Sequence, residues 1–462
     1  MAPRNGLRNA SGGGTLAAMH DDLRTAIDDL FPQTRARLED LIRIPSVSAA
    51  GFDPGLVRRA ADATAAHFTD VGVADARVID VPGGHPAVFA SLPAPPDAPT
   101  VLLYAHHDVQ PPGDLGDWSS DPFVPVERDG RLYGRGAADD KAGIATHLAA
   151  LQAHDGRPPV GIKLLIEGEE EVGSPHLAPF LREHAALLAA DVIVIADSGN
   201  WRTGIPTLTT TLRGLVSCVV EVRTLDHAVH SGMYGGAVPD AISALARLLA
   251  TLHDEEGRAA VPGLVSGDAV PLDLTEDDLR RQCGVLPGVD LIGEGSLTSR
   301  MWTRPALAVL GIDAPPVQGA VNAVVPVARA KVSMRLAPGD DPDRAATALA
   351  AHLEGNAPWG ARVTVGSWEK GAPFALDTTG PAYDTWRAAM GAAWGRDVVE
   401  VGVGGSIPFV AAFAETNPDA AIVLVGLCDD RSREHGPDES VDLGDLRRAG
   451  LAEAIALRAL AG

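Results

Sequence analysis

The sequence is poor in cysteine: it has only Cys218, Cys283 and Cys428, and no two of them form a CxxC pair. This scarcity argues against a disulfide framework and against a cysteine zinc knuckle, and it fits a reducing compartment. Long apolar runs are also missing, because the longest one, around Ala185 to Ala196, is too short to span a bilayer. The N-terminal segment lacks the continuous apolar stretch of a signal peptide. These absences predict a cytoplasmic protein.

An excess of basic residues is absent as well. The chain has 38 lysines and arginines against 61 aspartates and glutamates, which gives a formal net charge of −23. Such acidity argues against nucleic-acid and membrane partners, since phosphate groups would be repelled. With 462 residues, 46% of them hydrophobic, the chain is long enough to form two domains with a large core.

Short apolar runs that alternate with helical segments predict an α/β domain with a mostly parallel layered sheet. The strand-like runs are Ala87–Ser91, Thr100–Ala105, Gly161–Ile166, Asp191–Ala196 and Ala421–Val425. Helical patterns cover Lys141–His154 and Pro175–Leu188. An amphipathic stretch from Asp21 to Arg43 also reads as helix, and Pro32 is expected to kink or divide it.

From about Thr209 the pattern changes to that of a smaller α+β domain of the ferredoxin-like type. Its predicted elements are a strand at Leu215–Val222, a helix at Pro239–His253, a polar loop region, a strand at Ala328–Leu336, a helix at Asp343–Glu354 and a strand at Ala361–Trp368. The chain then returns to the first sheet near Phe374. We therefore expect a first domain formed by residues 1–208 and 374–462, with residues 209–373 inserted as the second.

Histidines and carboxylates follow four of the predicted strands at the point where each strand ends. They are His106, His107 and Asp108 after one strand, Glu167 and Glu169 to Glu171 after another, Asp197 after a third, and Asp429, Asp430 and His435 after the last. The loop GRGAADDKAG adds Asp139 and Asp140. Ligands in open α/β sheets bind beyond the carboxyl ends of the strands, and crowded carboxylates repel one another unless a cation holds them ionised. Imidazole and carboxylate without thiolate predict divalent metal ions, zinc first, with manganese or cobalt as alternatives.

At these residues the chain resembles the carnosinase-like metallodipeptidases, within the wider family of aminoacylase, acetylornithine deacetylase and succinyl-diaminopimelate desuccinylase. The matching segments are AHHDVQPP at Ala105–Pro112, LYGRGAADDKAG at Leu132–Gly143, EGEEEVGS at Glu167–Ser174, DSGNW at Asp197–Trp201, HSGMYGG at His230–Gly236, GGSIP at Gly404–Pro408 and EHG at Glu434–Gly436. The resemblance implies a two-metal hydrolase that cleaves dipeptides or short peptides through a metal-activated water. It also implies that the first domain is catalytic and that the inserted domain serves as a lid and for dimerisation.

The same resemblance implies a ligand set for two metal ions. His106 and Asp197 would bind one ion, Glu171 and His435 the other, and Asp139 would bridge the two. Such a set needs supporting residues that orient it and a proton acceptor beside it.

Carboxylates beside these ligands have predicted roles of that kind. Asp108 would accept the imidazole N–H of His106 and fix its tautomer, whereas Asp140 is expected to shape the bridging loop without binding metal. Glu170 matches the family's general base, which accepts a proton from the attacking water and then protonates the leaving amine. In the run of three glutamates, Glu169 is the rival for that role.

The resemblance also implies roles for residues of the inserted domain. His230, with His227 as a competitor, would reach the active site of a partner subunit and stabilise the oxyanion of the tetrahedral intermediate, so a homodimer is expected. Arg335 would grip the terminal carboxylate of the substrate as a bidentate donor. Asn322 would donate a hydrogen bond to the substrate as well.

The GGSIP segment resembles a backbone clamp around the substrate carboxylate, formed by Gly405 and Ser406. The two residues before this segment are Gly402 and Val403, where the dipeptidase branch often carries an Arg–Glu pair. This departure leaves the side-chain preference of the substrate open, because the metal ligands themselves are retained.

Three alternatives remain beside a dipeptidase. Removal of an N-acyl group from an amino acid would use the same metal chemistry. A metal-binding relative without catalysis is disfavoured by the retention of Glu170, which such a protein does not need. A two-metal phosphoesterase is disfavoured because the acidic chain has no evident phosphate-binding cluster.

Overall fold

The computed structural model describes residues 20–404 and 408–462, which fall into two units. The first unit comprises residues 20–209, 378–401 and 412–462, and the second comprises residues 210–377, 402–404 and 408–411. Within the described residues, no helix combines the length and the apolar character that are needed to cross a membrane.

Both units combine β-strands with α-helices. The strands, in chain order, are β1 (Arg77–Ile79), β2 (Ala87–Leu92), β3 (Thr100–His106), β4 (Val126–Arg128), β5 (Arg131–Tyr133), β6 (Gly161–Glu167), β7 (Val192–Ile195), β8 (Thr207–Leu212), β9 (Gly214–Arg223), β10 (Val229–His230), β11 (Ala306–Asp313), β12 (Ala323–Val324), β13 (Val327–Leu336), β14 (Arg362–Gly371), β15 (Phe374–Ala375), β16 (Val399–Val403), β17 (Ala421–Leu424) and β18 (Ser440–Asp442). The α-helices are Asp21–Ile42, Pro54–Asp70, Lys141–Gln152, Leu177–Glu183, Ala185–Leu188, Ser231–Tyr234, Ala241–Ala250, Glu276–Cys283, Leu297–Trp302, Pro342–Gly355, Pro381–Trp394, Pro408–Thr416 and Leu443–Ala459.

The sheet of the first unit has parallel strands at its centre. Its strand order is β1-β2-β6-β3-β7-β17-β8, and the pairs β6–β3, β3–β7 and β7–β17 are parallel. Towards the edges, β2 pairs with β6 and β8 pairs with β17 in antiparallel orientation. The predicted α/β fold with a mostly parallel sheet is therefore confirmed, although the complete sheet is mixed.

Burial explains why the apolar runs form the central strands. β7 is buried along its whole length, and every residue of β3 after Thr100 is buried, as is typical of strands at the centre of a parallel sheet. The helix Asp21–Ile42 runs through Pro32 as a single helix, so the division considered for this proline does not occur. Buried side chains on both sides of the proline, including Leu23 and Leu41, hold the helix in the core.

The second unit contains a four-stranded antiparallel sheet with the strand order β11-β13-β9-β14. Side chains of the helices Ala241–Ala250 and Pro342–Gly355 share one apolar core with the strands. Taken along the chain, these elements follow the order β-α-β-β-α-β, which is a ferredoxin-like connection. The sequence predicted this type of domain but without the strand β11.

The prediction of a loop between the first helix and the next strand of this unit was wrong in part. The region contains the helices Glu276–Cys283 and Leu297–Trp302 and the strand β11. β11 lies at the edge of the sheet, and from Ala308 onward its residues are exposed. Its sequence, ALAVLGID, is a nearly continuous apolar run and lacks the alternation of apolar and polar residues that indicates a strand with one exposed face.

Candidate metal centre

Parallel strands of the first unit bring the predicted ligands to one edge of the sheet. His106 is the last residue of β3, Asp197 follows β7, and Glu171 lies just beyond β6. These three strands are parallel neighbours, so the residues beyond their carboxyl ends meet at the same edge. The segment after β17 contributes His435, and the loop before the helix Lys141–Gln152 contributes Asp139.

Asp139 stands between the two histidines of this cluster. Its Oδ1 lies 3.0 Å from Nε2 of His106, and its Oδ2 lies 3.0 Å from Nε2 of His435. Oδ1 of Asp197 is 3.8 Å from the same nitrogen of His106, and Oε2 of Glu171 is 3.2 Å from the same nitrogen of His435. The structure thus brings the five predicted ligands together, with one carboxylate shared by two groups of donors.

Asp140 is close to the same cluster, but its carboxylate is already hydrogen-bonded. Potential ligand atoms lie within 4.8 Å of one another in two groups, which are His106, Asp140 and Asp197, and Asp139, Glu171 and His435. Oδ1 of Asp140 accepts a hydrogen bond from the N–H of Gly143 at 3.2 Å, and Oδ2 accepts one from the N–H of His106 at 3.3 Å. Asp139 differs in that each of its two oxygens lies 3.0 Å from a different imidazole nitrogen, so the geometry favours Asp139 over Asp140 as the bridging ligand.

Asp108 and Gln110 contact the candidate ligands His106 and Glu171. Nδ1 of His106 lies 3.1 Å from the backbone carbonyl oxygen of Asp108 and 3.3 Å from its Oδ1, which leaves Nε2 free for a metal ion. The Asp108 carboxylate also accepts hydrogen bonds from the N–H groups of Glu170 and Glu171 at 3.2 and 3.1 Å. Gln110 donates its backbone N–H to Oε1 of Glu171 at 3.0 Å and its side-chain amide to Oε2 at 2.9 Å. Sequence reasoning missed Gln110, although it lies inside the AHHDVQPP segment.

Glu169 and Glu170 lie in different environments. Glu169 is buried, and its carboxylate accepts hydrogen bonds from the backbone N–H groups of His85 and His176 at 3.2 and 2.9 Å. Glu170 begins a short 3₁₀ turn, and its carboxylate forms no hydrogen bond with another described residue. Burial, and then the negative charge of Asp197, raise the pKa of Glu170 to about 9. Its carboxyl group therefore lies within the electrostatic influence of the candidate ligands Asp197 and Asp139.

The electrostatics of the cluster favour positive charge. Hydrogen bonds to Asp139 and Glu171 raise the pKa of His435 to about 10. Burial lowers the pKa of His106, but the charge of Asp197 and the hydrogen bonds to neighbouring carboxylates raise it well above its usual range. For Asp139 the net shift is downward. Burial acts to raise its pKa, but hydrogen bonds from the two imidazoles outweigh burial and hold the pKa well below its usual range. Imidazole and carboxylate donors arranged in this way fit divalent zinc, manganese or cobalt.

In the second unit the structure brings together His230 and Asn322, which are far apart in the sequence. Strand β10 pairs with β12, so that His230 lies opposite Ala323. The N–H of Ser231 donates a hydrogen bond to the carbonyl oxygen of Asn322 at 3.1 Å. His230 is exposed, and its Nδ1 accepts a hydrogen bond from the N–H of Gly232 at 3.1 Å. Its Nε2 is therefore the ring nitrogen available to a substrate.

Arg335 lies in β13 and is half-buried, and burial lowers its pKa. In the part of the chain that the structure describes, no carboxylate forms an ion pair with it, so its guanidinium is available to an anionic ligand. The rival histidine, His227, is exposed and contacts the carboxylate of Asp226. The predicted clamp residues Gly405 and Ser406 lie outside the described residues.

Comparison with known proteins agrees with this geometry. Residues 102–456 match the family described as Peptidase family M20/M25/M40. A cysteinylglycine-S-conjugate dipeptidase from Corynebacterium striatum is 39% identical over 367 residues, which cover 78% of this chain and 80% of that protein. A Cys-Gly metallodipeptidase (dug1) from Schizosaccharomyces pombe is 28% identical over 463 residues, with 92% and 95% covered. The crystal structure of human carnosine dipeptidase 1 superposes with a TM-score of 0.78 at 25% identity and covers 96% of this chain and 99% of that one. The motif resemblance is thereby confirmed, and the chain belongs to the peptidase family M20/M25/M40.

Proposed function

We propose that this protein hydrolyses the peptide bond of dipeptides and other short peptides with two divalent metal ions, zinc before manganese or cobalt. The observation that carries the proposal is the carboxylate of Asp139, whose two oxygens lie 3.0 Å from the imidazoles of His106 and His435. Membership of the peptidase family and the similarity to named dipeptidases support the reaction class. The donor set of imidazole and carboxylate supports the cofactor.

The proposed ligands divide into two groups with one shared member. His106 and Asp197 would hold one ion, Glu171 and His435 would hold the other, and Asp139 would be shared by both. When bound, two such ions polarise the scissile carbonyl group and lower the pKa of a bound water. Both histidines direct Nε2 at the shared aspartate, so the same ring nitrogen of each is the proposed ligand atom.

Glu170 is the proposed proton carrier. Its carboxylate is free of hydrogen bonds to other described residues, whereas that of Glu169 is fully engaged. Glu170 accepts a proton from the attacking water and returns it to the nitrogen of the leaving amine, so the residue is regenerated in each cycle. A divalent cation held at the candidate site would lower the pKa of Glu170 from its raised value, towards the range of a base that works near neutral pH.

Residues of the second unit are proposed to contact the substrate. Arg335 binds the terminal carboxylate with two parallel hydrogen bonds, and the role of Gly405 and Ser406 at the same carboxylate stays a prediction from the sequence. Asn322 donates its side-chain amide to the substrate, and His230 stabilises the oxyanion that develops at the attacked carbonyl group. The backbone pairing of β10 with β12 supports a joint action of the last two residues.

We further propose a homodimer in which His230 serves the site of the partner. Strand β11 supports dimerisation, because it lies at the edge of its sheet and exposes the apolar side chains of Val309, Leu310 and Ile312. An exposed edge strand offers unpaired backbone groups to a second chain, and two-fold pairing would make the contact reciprocal. The three cysteines are free, which supports a reducing, cytoplasmic location.

Hydrolysis of a dipeptide panel by the purified, metal-loaded protein tests this function. The panel includes cysteinylglycine and carnosine, which occur in the names of the relatives, and N-acetyl amino acids are assayed beside them. Faster cleavage of dipeptides is expected. Preference for N-acetyl amino acids would instead identify a deacylase with the same metal chemistry. Metal uptake without hydrolysis of either class would contradict catalysis and favour a metal-binding protein.

A further inference from the structure

The segment that carries His435 is anchored at both ends by buried ion pairs. At one end Asp429 forms a two-point ion pair with Arg131, with N–O distances of 2.7 and 2.9 Å. At the other end Glu439 forms an ion pair with Arg135 at 2.6 Å. All four of these side chains are buried. Both arginines belong to the stretch of chain that leads into the bridging loop, so the two segments are joined twice.

Glu439 also holds the backbone of the bridging loop. Its Oε1 accepts hydrogen bonds from the N–H groups of Ala138 and Asp139 at 2.9 and 3.1 Å. Its Oε2 accepts one from the N–H of Gly136 at 3.0 Å, beside the guanidinium of Arg135. Converging backbone N–H groups of this kind form an anion-binding concavity, and here the anion is a side chain of the same protein. The carboxylate of Glu439 therefore fixes the backbone from which Asp139 projects.

We propose that Glu439 is the positioning residue that sets the bridging carboxylate of Asp139 against His435 and thereby determines the affinity for the metal ions. The inference rests on the two-metal site proposed above. His435 needs such support because its side chain is 57% exposed and its ion-pair contacts among the described residues are with Asp139 and Glu171. Glu439 follows His435 in the same segment and bonds to the N–H of Asp139, so one side chain couples two ligands from distant parts of the sequence.

Glu439→Gln tests this role, because an amide has one acceptor oxygen in place of two. Either the N–H groups of Ala138 and Asp139, or those of Gly136 and Arg135, would then face an NH₂ donor, and the loop would relax. Loss of an outer partner of a metal ligand typically lowers metal affinity by about 10–100-fold. We expect this loss for Co²⁺ added to the metal-stripped full-length protein, measured by calorimetric titration and by the visible absorption of bound Co²⁺.

Glu453→Gln is the matched control. Glu453 is also a buried glutamate, and its carboxylate oxygens lie 2.9 Å from Nδ1 of His147 on another helix. The control should lose thermal stability while it keeps the wild-type affinity for Co²⁺. Equal loss of affinity in both variants, or wild-type affinity in Glu439→Gln, would overturn the proposal.

A second variant covers the case in which Glu439→Gln does not fold. Glu439→Asp keeps the charge but is shorter by one methylene group, so it cannot hold both sides of the concavity, and an intermediate loss of Co²⁺ affinity is expected. Unchanged affinity in this variant overturns the proposal. Wild-type protein that binds no Co²⁺ would contradict the proposed metal site itself and this inference with it. Two ions in the wild type and an unaffected variant would contradict the role of Glu439 alone.

Discussion

Nδ1 of His176 lies 3.1 Å from both carboxylate oxygens of Glu169, so this glutamate already has a partner. The same carboxylate accepts hydrogen bonds from the backbone N–H groups of His85 and His176. Glu170 has no such partner among the described residues, and the charge of Asp197 acts on its pKa. These contacts support our proposal that Glu170, rather than Glu169, is the proton carrier.

Glu170→Gln should keep the metal ions and lose most of its turnover. The substitution removes the proton acceptor at nearly constant shape, and loss of a general base typically costs ~10²–10⁴-fold in rate. Steady-state kinetics on a cleaved dipeptide, combined with metal analysis, measures both properties. Glu169→Gln is the control: it should keep most turnover but lower the free energy of unfolding by about 1–3 kcal/mol, because buried hydrogen bonds are lost. Near wild-type turnover in Glu170→Gln beside an inactive Glu169→Gln would show that Glu169, and not Glu170, is the general base.

Purified protein should carry about two divalent metal ions per chain, separated by about 3.5–4 Å. The reason is that Asp139 directs one oxygen at each histidine of the cluster. Metal analysis gives the stoichiometry, and X-ray absorption spectroscopy gives the separation. Asp139→Asn removes the shared negative charge and should lower the metal content. A single, fully occupied site that added zinc or manganese does not change would contradict a shared aspartate.

The strand ends could be predicted from the sequence, because buried apolar runs end where ligand-type residues begin. The run predicted at Thr100–Ala105 is strand β3, and it ends on His106. The spacing of apolar residues did not reveal where a predicted helix is interrupted. The helix predicted at Pro175–Leu188 is divided at His184, whose backbone angles leave the helical region, although the apolar pattern continues across it.

Contacts between distant segments could not be predicted from the sequence. Glu439 accepts a hydrogen bond from the N–H of Asp139, which lies 300 positions earlier in the chain. Nothing in the residues around Glu439 indicates this partner. Gln110 likewise supports Glu171 only because β3 and β6 are neighbours in the sheet. The clustering of the candidate ligands could be predicted because their chemical types are unusual at strand ends. A buried supporting glutamate, in contrast, resembles any other charged residue in a loop.

Metal affinity should increase with pH. In the metal-free protein the pKa of His435 is raised to about 10 and that of Glu170 to about 9. At pH 7 both groups therefore carry protons, and a metal ion bound at His435 must displace its proton. Calorimetric titration with Mn²⁺ at several pH values measures the trend. Affinity that falls, or stays constant, as the pH rises from 6.5 to 9 would contradict it.

The stability of the metal-free protein should change in the opposite direction. Both groups have folded-state pKa values above their ordinary values of 6.5 and 4.5. Their stabilising contribution to the free energy of unfolding is therefore complete below those ordinary pKa values. It is lost as the pH rises through the folded-state pKa values. The gain in Tm on adding Mn²⁺ should grow between pH 6.5 and 9 for the same reason. His435→Ala is the control, and it should flatten this dependence.

His230 should act in the site of a partner subunit, so that the active unit is a homodimer or larger. It lies in β10 of the second unit, whereas the candidate metal ligands lie in the first. An oxyanion donor has to come within roughly 2.7–3.1 Å of the reacting oxygen. In a two-fold dimer the exchange is reciprocal, and each inserted domain completes the other site. His230→Ala should therefore lower turnover by about 10²–10³-fold without loss of metal, whereas the exposed His227→Ala should stay active.

Complementation between two inactive variants tests this exchange. Glu170→Gln subunits keep His230, and His230→Ala subunits keep Glu170. In a mixed dimer, the site of the His230→Ala chain receives the intact histidine of its partner and is complete, while the other site lacks both residues. An equal mixture after full subunit exchange should therefore recover about a quarter of the wild-type activity, because half of the dimers are mixed and each has one working site. If His230 acted within its own chain, no mixed dimer would contain a complete site. Full activity in a verified monomer, or no recovery after proven subunit exchange, would contradict the role in the partner subunit.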